Sequence, residues 1–410
     1  MALCLYNTLT LRKEEFVPIN PQEIQLYTCG PSVYDTPHLG NYRTFIYEDL
    51  LKRVLLHKGY SVRHVMNITD LETKGITAAK KARTEFWGLM DKNTKVFFDG
   101  LKEFRVIPAT IYPRASRNVN EMVYAIKELM KKGYAYRQNG DVYFDISKSK
   151  NYGVLSRYKF TKKQLNSRVR LYDYQGFLAG DFLLWYGYRK SHGKICWNTE
   201  IGKGMPAWNA ECPALCMKFL KIPMDIHAGG FDNIFSHHEN EIAQIQSLTG
   251  KFPAKYWFHV RHLMVEGKKM SKSLKNYYSV KQLKDMGFSI TAIKWLLLSK
   301  PYTKKVNFTL KKLREFEGKF KEFQKTVRHI KRVKRCRVKE HFCDVVLEKR
   351  ALFFEALDDG LDFETAFMHA MDLILEASKR RKNGLLCKGC MREFMRAIRE
   401  FDRATGAFPT

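Results

Sequence analysis

An α/β domain built on a parallel sheet, interrupted by an insertion and followed by an all-α helical bundle, is the architecture this sequence predicts. Three observations predict it. The first is the order strand, loop, helix, strand near the start. "EIQLYTC" (23–29) alternates as a short strand, and "GPSVYDTPHLG" follows as a loop. In "NYRTFIYEDLLKRVLLHKG" (41–59), Phe45, Ile46, Leu50, Val54 and Leu55 recur near helical spacing, Asn41 opens the helix and Gly59 supplies a stop. "SVRHVMNITD" (61–70) then reads as a second strand. Such a βαβ unit aims the backbone donors of its first turn at a ligand. The second observation is the mixed segment from about 112 to 200, with a helical "VNEMVYAIKELMKKG" and a strand-like "GDVYFDI", which reads as an insertion between two halves of one domain. The third is the stretch from about 310 onward, where almost everything is helical and glycine and proline are scarce, as in a bundle.

The chain of 410 residues is long enough for about two to three domains. Lys and Arg total 72 against 42 for Asp and Glu, a formal charge of +30. A surplus of this size attracts polyanions. Much of it gathers in "LKKLREFEGKFKEFQKTVRHIKRVKRCRVKEH" (310–341), which favours RNA over a small acidic metabolite as its reason. No apolar run approaches the roughly 18 residues of a membrane helix. The opening "MALCLYNTLTLRKEEF" carries charge too early for a secretory signal, so a cytoplasmic protein is expected. Nine cysteines, an odd count, argue for reduced thiols, some of them metal ligands, rather than a disulfide framework.

Three stretches carry chemistry. In "PHLGN" (37–41), His38 can donate to phosphate oxygens and Asn41 sits where helix N–H groups and the dipole favour anions. In "GKKMSKSLKN" (267–276), Lys269 and Lys272 with Ser271 and Ser273 suit a triphosphate whose charge grows during phosphoryl displacement. "DIHAGGFDNIFSHHENEIAQ" (225–244) packs three histidines and four carboxylates around two glycines, which fits a metal site, a phosphate site or a polar loop entering a helix. His237 and Glu241 are four apart, so a helix places them on one face. On spacing alone Cys216 competes with Cys212, and His238 with His237. "CKGC" (387–390) is a lone pair of cysteines on an amphipathic helix, read as packing thiols.

Taken together, "LYTCGPSVYDTPHLGNYRTF", "VMNITD", "PRAS", "YGVLSR", "ECPA", the 225–244 stretch and "MVEGKKMSKSLKN" resemble, in order, segments of the cysteinyl-tRNA synthetases among the class I aminoacyl-tRNA synthetases. The resemblance is close over roughly residues 20–310 and looser beyond. It implies a Rossmann-like catalytic domain whose first half spans 1–111, a connective insertion at 112–200, and a second half with the zinc site at 201–258. A junction bearing KMSKS (259–309) and a tRNA-binding bundle (310–410) complete the divisions. It implies activation of cysteine by ATP and transfer of the cysteinyl group to tRNA. His38, Asn41, Lys272 and Lys269 would handle the phosphates, with Mg2+ accompanying ATP. Gly229, Gly230 and Asp232 resemble the adenosine turn, and His227 is read as a nucleotide contact. One zinc ion per chain would sit on Cys29, Cys212, His237 and Glu241; only the family position selects Cys212 and His237 over their neighbours. Cys29, Gly30, Thr69 and Trp208 would line the cysteine pocket. The partners implied are tRNA, ATP and cysteine, with no membrane and a monomeric state.

The sequence departs from the family pattern in places. The turn reads "HAGGFD" where "HGGGSD" is usual, Ser236 replaces a usual proline, and Thr73 replaces an acidic residue in "NITDLETK". The chain closes at "FDRATGAFPT", where many family members continue into an anticodon-recognising domain, so phosphate contacts from the 310–350 helices are expected to carry more of the tRNA binding. Two other readings compete. A related ligase that joins cysteine to an amino sugar, as in mycothiol synthesis, also lacks that domain, but it typically loses the last glutamate of "HHENE" and has no use for +30. A silent RNA-binding paralogue would be expected to lose a signature lysine or metal ligand, and all are present.

Overall fold

In the computed structural model, the structure describes residues 2–159, 180–269, 277–331, 342–386 and 388–409. A hairpin of β1 (Cys4–Asn7) and β2 (Arg12–Glu15) precedes β3 (Glu23–Thr28), α1 (Leu39–His57) and β4 (Ser61–Met66). After α2 (Thr73–Lys81) and α3 (Phe86–Glu103), α4 (Val119–Lys131) leads into an antiparallel sheet. This sheet comprises β5 (Ala135–Gln138), β6 (Asp141–Phe144), β7 (Phe182–Gly187), β8 (Trp197–Thr199) and β9 (Gly202–Pro206), in the order β5-β6-β7-β9-β8. It runs past the boundary expected at residue 200.

The chain then returns through α5 (Glu211–Phe219), β10 (Met224–Gly230), α6 (Glu239–Thr249) and β11 (Ala254–Val260). Four strands from the two halves form one parallel sheet, β11-β10-β3-β4. The order reverses between β3 and β10. In open parallel sheets, ligands bind beyond the strand C-termini at such a reversal. Cys29 follows β3 at this point, and Gly229 and Gly230 end β10 beside it.

A small sheet of β12 (Leu263–Val265), β13 (Lys268–Lys269) and β14 (Val306–Phe308) follows, with α7 (Val280–Asp285) and α8 (Ile290–Leu298) between its second and third strands. Helices α9 (Leu310–Ile330), α10 (Phe342–Asp358), α11 (Phe363–Lys382) and α12 (Lys388–Thr405) form the bundle. In α9 the residues Leu313, Phe320, Phe323, Val327 and Ile330 turn inward, while Lys311, Lys312, Arg314, Lys321, Lys325 and Arg328 are exposed.

The central helix α1 begins two residues earlier than the sequence suggested. His38 is its N-cap: its Nδ1 accepts from the Asn41 N–H at 3.2 Å, and the Asn41 Oδ1 accepts from the His38 N–H at 3.1 Å. This reciprocal cap satisfies two helix-end donors. Helix α1 is buried on the sheet side and again where α8 and α12 cover it, which explains its nearly all-round apolar burial. One continuous core runs from Leu3 through α1 to Phe408. At its far end Trp295 packs among Phe320, Phe323, Phe367 and Phe408, and its indole N–H donates to the Ala407 carbonyl at 2.6 Å.

Candidate active site and metal centre

Four side chains from four elements converge beside the sheet's reversal. Cys29 follows β3, Cys212 lies in the first turn of α5, His237 lies in the wide turn Ile234–His238, and Glu241 lies in the first turn of α6. All four are at most 8% exposed. The Cys29 and Cys212 Sγ atoms are 3.9 Å apart, Cys212 Sγ to His237 Nε2 is 3.4 Å, His237 Nε2 to Glu241 Oε1 is 3.1 Å, and Cys29 Sγ to Glu241 Oε1 is 3.8 Å. Metal–ligand lengths of about 2.3 Å to sulfur and 2.0–2.1 Å to nitrogen or oxygen place the donor atoms of a tetrahedral zinc roughly 3.3–3.8 Å from one another. The four separations, 3.1–3.9 Å, lie within a few tenths of an ångström of that range.

Its electrostatics call for a cation. Burial, with Cys212 and Glu241 nearby, pushes the Cys29 thiol well above its usual range, and burial pushes Cys212 up to about 11. Burial holds His237 down to about 4, in the neutral form that ligates metals. Burial also works against ionisation of Glu241, but His227 and His237 outweigh it and keep the carboxyl below its ordinary value. A bound dication would reverse the thiol shifts, because thiolates are the ligating form. The donor set and its spacing therefore fit a metal ion.

A second group, Cys29, His227, His238 and Glu241, is equally tight. It shares Cys29 and Glu241 with the first, and His238 Nε2 lies 3.2 Å from Cys29 Sγ, but both of its histidines are also hydrogen-bonded to other partners. His227 Nε2 pairs with Glu241 Oε2 at 2.7 Å, leaving Oε1 toward the thiols. His238 Nδ1 meets His259 Nε2 at 2.8 Å, and His259 Nδ1 meets Thr8 Oγ1 at 2.9 Å. These histidines form a buried support behind the carboxylate, as outer partners of a metal site do. His227 is fully buried and stacks on Trp257 with centroids 4.6 Å apart, so it is not a nucleotide contact. Cys216 is buried on α5 but belongs to neither group.

The expected pocket residues gather nearby. Trp208 stacks on His237, with centroids 3.8 Å apart and planes within 9°. The Gly30 N–H donates to Asn67 Oδ1 at 2.8 Å, and a Cβ on Gly30 would lie 1.7 Å from the Asn67 carbonyl oxygen, so only glycine fits there. Thr69 Oγ1 and Asn67 Nδ2 both donate to Glu211 Oε1, at 2.8 and 2.7 Å. Sequence reasoning missed Glu211 and Asn67. Glu211 is next to Cys212 in "ECPA", and an acidic residue opening a buried helix was the available signal.

At the end of β10, Asp232 follows in a short turn with Gly229 and Gly230 before it. A Cβ on Gly229 would come within 2.9 Å of the His238 ring and 3.1 Å of Asn233, so this glycine serves the packing of the histidine support. Arg261 lies over the Phe231 ring at 3.6 Å, and His262 meets that ring edge-on at 5.8 Å. His38 and Asn41 stand at the start of α1. Lys269 ends β13. Lys272 falls outside the described residues, as does Cys387, whereas Cys390 is buried with its Sγ 3.8 Å from Cys343 Sγ.

Comparison with known proteins bears on this geometry. Residues 15–317 match the family described as tRNA synthetases class I (C) catalytic domain. A cysteine–tRNA ligase of Chlamydia caviae is 43% identical over 340 residues, covering 80% of this chain and 71% of the relative. That of Chlamydia pneumoniae is 37% identical over 413 residues, covering 99% and 86%. Among solved structures, the Mycobacterium tuberculosis methionyl-tRNA synthetase in complex with methionyl-adenylate superposes with a TM-score of 0.67 at 13% identity, covering 93% of this chain and 90% of that one. A leucyl synthetase, agnB2 LeuRS of Agrobacterium radiobacter K84, gives 0.67 at 9% identity, covering 96% and 88%. At these identities the structures speak for the fold, a Rossmann-like catalytic domain followed by a helical region. The sequence match is what places the chain: it belongs to the class I aminoacyl-tRNA synthetases, in the family of the cysteine–tRNA ligases.

Proposed function

We propose how the residues described above divide the work of a cysteine–tRNA ligase. The chain carries out the reaction of its family, joining cysteine to tRNA with conversion of ATP to AMP and pyrophosphate. The cysteine carboxylate attacks the α-phosphate of ATP, the bond to the bridging oxygen breaks, and pyrophosphate leaves. A hydroxyl of the terminal tRNA ribose then attacks the activated carbonyl, and AMP departs with the bonding pair. The carboxylate is ionised at neutral pH, so the first step needs no general base.

Helix α1 directs its N-terminal donors and His38 toward the phosphates, and Asn41 fixes the His38 ring through the cap. Lys269 and Lys272 meet the departing pyrophosphate, whose charge grows as the bond breaks. The nucleotide would bring Mg2+ as a further counter-charge to these phosphates. Gly229, Gly230 and Asp232 receive the adenosine. Cys29, Cys212, His237 and Glu241 would hold a zinc ion, which supplies a soft Lewis acid that prefers a thiolate to a neutral hydroxyl. Gly30, Thr69 and Trp208 shape the pocket around the substrate, with Thr69 held by Glu211. The exposed lysines of α9 meet tRNA phosphates. No described helix is long and apolar enough to cross a membrane. A cytoplasmic monomer is the working form in this reading.

The observation that carries this reading is the four-donor cluster at the C-terminal end of the central strand, on the side where α1 begins. Cysteine-dependent ATP–pyrophosphate exchange, followed by transfer of labelled cysteine to total tRNA or to glucosaminyl-inositol, tests it. Exchange with transfer to tRNA is expected. Transfer to the sugar alone would replace the ligase reading with the amino-sugar one, and no exchange at all would remove both.

A further inference from the structure

Arg43 is fully buried one turn into α1, and its guanidinium faces no carboxylate among the described contacts. Instead it donates to five backbone carbonyls. Nε bonds the Leu297 oxygen at 3.2 Å, in the last turn of α8. Nη2 reaches Lys300, Pro301 and Lys304 at 3.2, 3.2 and 3.0 Å, and Nη1 bonds the carbonyl of Arg261. One turn later the Tyr47 hydroxyl donates to the same Lys300 carbonyl at 2.6 Å. The partners come from two chain segments more than thirty-five positions apart, and both enter the small sheet. Arg261 and Lys304 each stand two positions before the first paired residues of β12 and β14, Leu263 and Val306. Arg43 thus grips both parallel strands at one level, just before they pair. Strand β12 also pairs with β13 through Met264 and Lys269, and β13 leads into the MSKS segment.

We infer that Arg43 is a positioning residue for the activation step, locking the arm that carries Lys269 and Lys272 onto the helix whose N-terminus receives the phosphates. This rests on the reading of those two elements as opposite sides of the ATP site. Arg43 lies on the same helix as His38 and Asn41, so its carbonyl contacts set the distance between the two sides. A lysine cannot substitute: it keeps the charge but offers three donors from a point, not a planar fork of five. Arg43 and Tyr47 are fully buried with their donors bonded to backbone carbonyls, which is why the role is positional rather than catalytic.

The test is Arg43→Lys in steady-state pyrophosphate exchange, beside Tyr47→Phe as the milder change. The expected result for Arg43→Lys is a fall in kcat of about 100-fold, the scale on which a misplacement near 1 Å is felt. The cysteine KM and the zinc content per folded chain should stay as in the unaltered protein, because none of Arg43's hydrogen bonds reaches the segments that carry the four cluster residues. Tyr47→Phe should move the same parameter by a smaller factor. In Arg43→Ala, guanidinium ion at sub-denaturing concentration should restore part of kcat by filling the carbonyl nest. An unchanged kcat in Arg43→Lys would overturn the inference. So would a loss that merely tracks the folded fraction, or one shared equally by the cysteine KM. Absence of exchange in the unaltered protein would instead remove the functional reading beneath it.

Discussion

His237 lies flat against Trp208, with ring centroids 3.8 Å apart and planes 9° from parallel. Among the described residues its Nδ1 has no hydrogen-bond partner, so the indole face, not an acceptor on Nδ1, fixes the imidazole plane. Trp208→Ala should therefore weaken metal binding by about 10- to 100-fold, the range seen when an outer partner of a ligating histidine is lost. Competition with a chromogenic chelator measures this directly. Trp208→Phe should retain most of the affinity, and an alanine variant that binds zinc as well as the original would refute the role given to the stack.

Selection of cysteine over serine should depend on the cluster. With Cys29→Ser, zinc measured by elemental analysis should fall well below about one per chain. Discrimination against serine in pyrophosphate exchange should drop toward the roughly 10- to 200-fold that a shaped pocket alone achieves. Glu241→Gln should act in the same direction and also unseat His227, its partner at 2.7 Å. Zinc content and selectivity that survive both changes would assign the metal role elsewhere.

Phe231 stands where the family pattern has serine, and Arg261 covers its ring at 3.6 Å. If this contact is a stabilising cation–π pair, a double-mutant cycle of Phe231→Ser and Arg261→Ala should give a coupling of about 1 kcal/mol in urea unfolding. Additive losses would mean that the two residues are neighbours without a shared interaction.

His64 gives a pH dependence. Burial, with Lys52 adding to it, holds its imidazole down to about 3, and it pairs at 2.9 Å with the Oγ1 of Thr28, the residue before Cys29. The unfolded chain takes up this proton near its ordinary pKa of about 6.5, whereas the folded chain resists it. Stability from this residue is thus complete above about pH 6.5 and declines as pH falls toward 3, by roughly 4–5 kcal/mol at most. His64→Gln should flatten that slope in denaturation curves taken between pH 4 and 7. An identical slope in the variant would locate the acid sensitivity in other groups.

Much of the site was legible before any coordinates. Cys29 and the residues of "PHLGN" stood out because a strand, a tight loop and a helix follow one another with clear periodicity. The expectation that His237 and Glu241 share a face rests on a four-residue spacing that needs no tertiary information. The choice of Cys212 over Cys216 was different. Both are buried on one short helix, spacing left them open, and the family position that selected Cys212 agrees with the packing of α5, which brings that thiol to 3.9 Å from Cys29. His227 was misread because a histidine beside two glycines suggests a ligand turn. Its actual partner, Glu241, lies 14 residues on and meets it only after the chain has turned back through the wide turn Ile234–His238. Arg43 gave no sequence signal at all, since an arginine on an amphipathic helix reads as solvated until its five acceptors are assembled around it. The early start of α1 had a local cause, the mutual cap of His38 and Asn41, which the pattern of apolar residues did not contain.

The shared aromatic core changes what kind of object the helical half is. Phe408 is fully buried against Trp295 of α8 and Phe353 of α10, and the Gly406 carbonyl accepts from Lys294, itself buried beside Asp49 of α1. The end of the bundle is therefore a keystone wedged against the helix that begins at the His38 cap. Such a half is not an interchangeable module hung on a finished enzyme. Grafting it between relatives would require exchanging its counter-surface on α1 and α8 as well, so the two halves are bound to drift together in sequence.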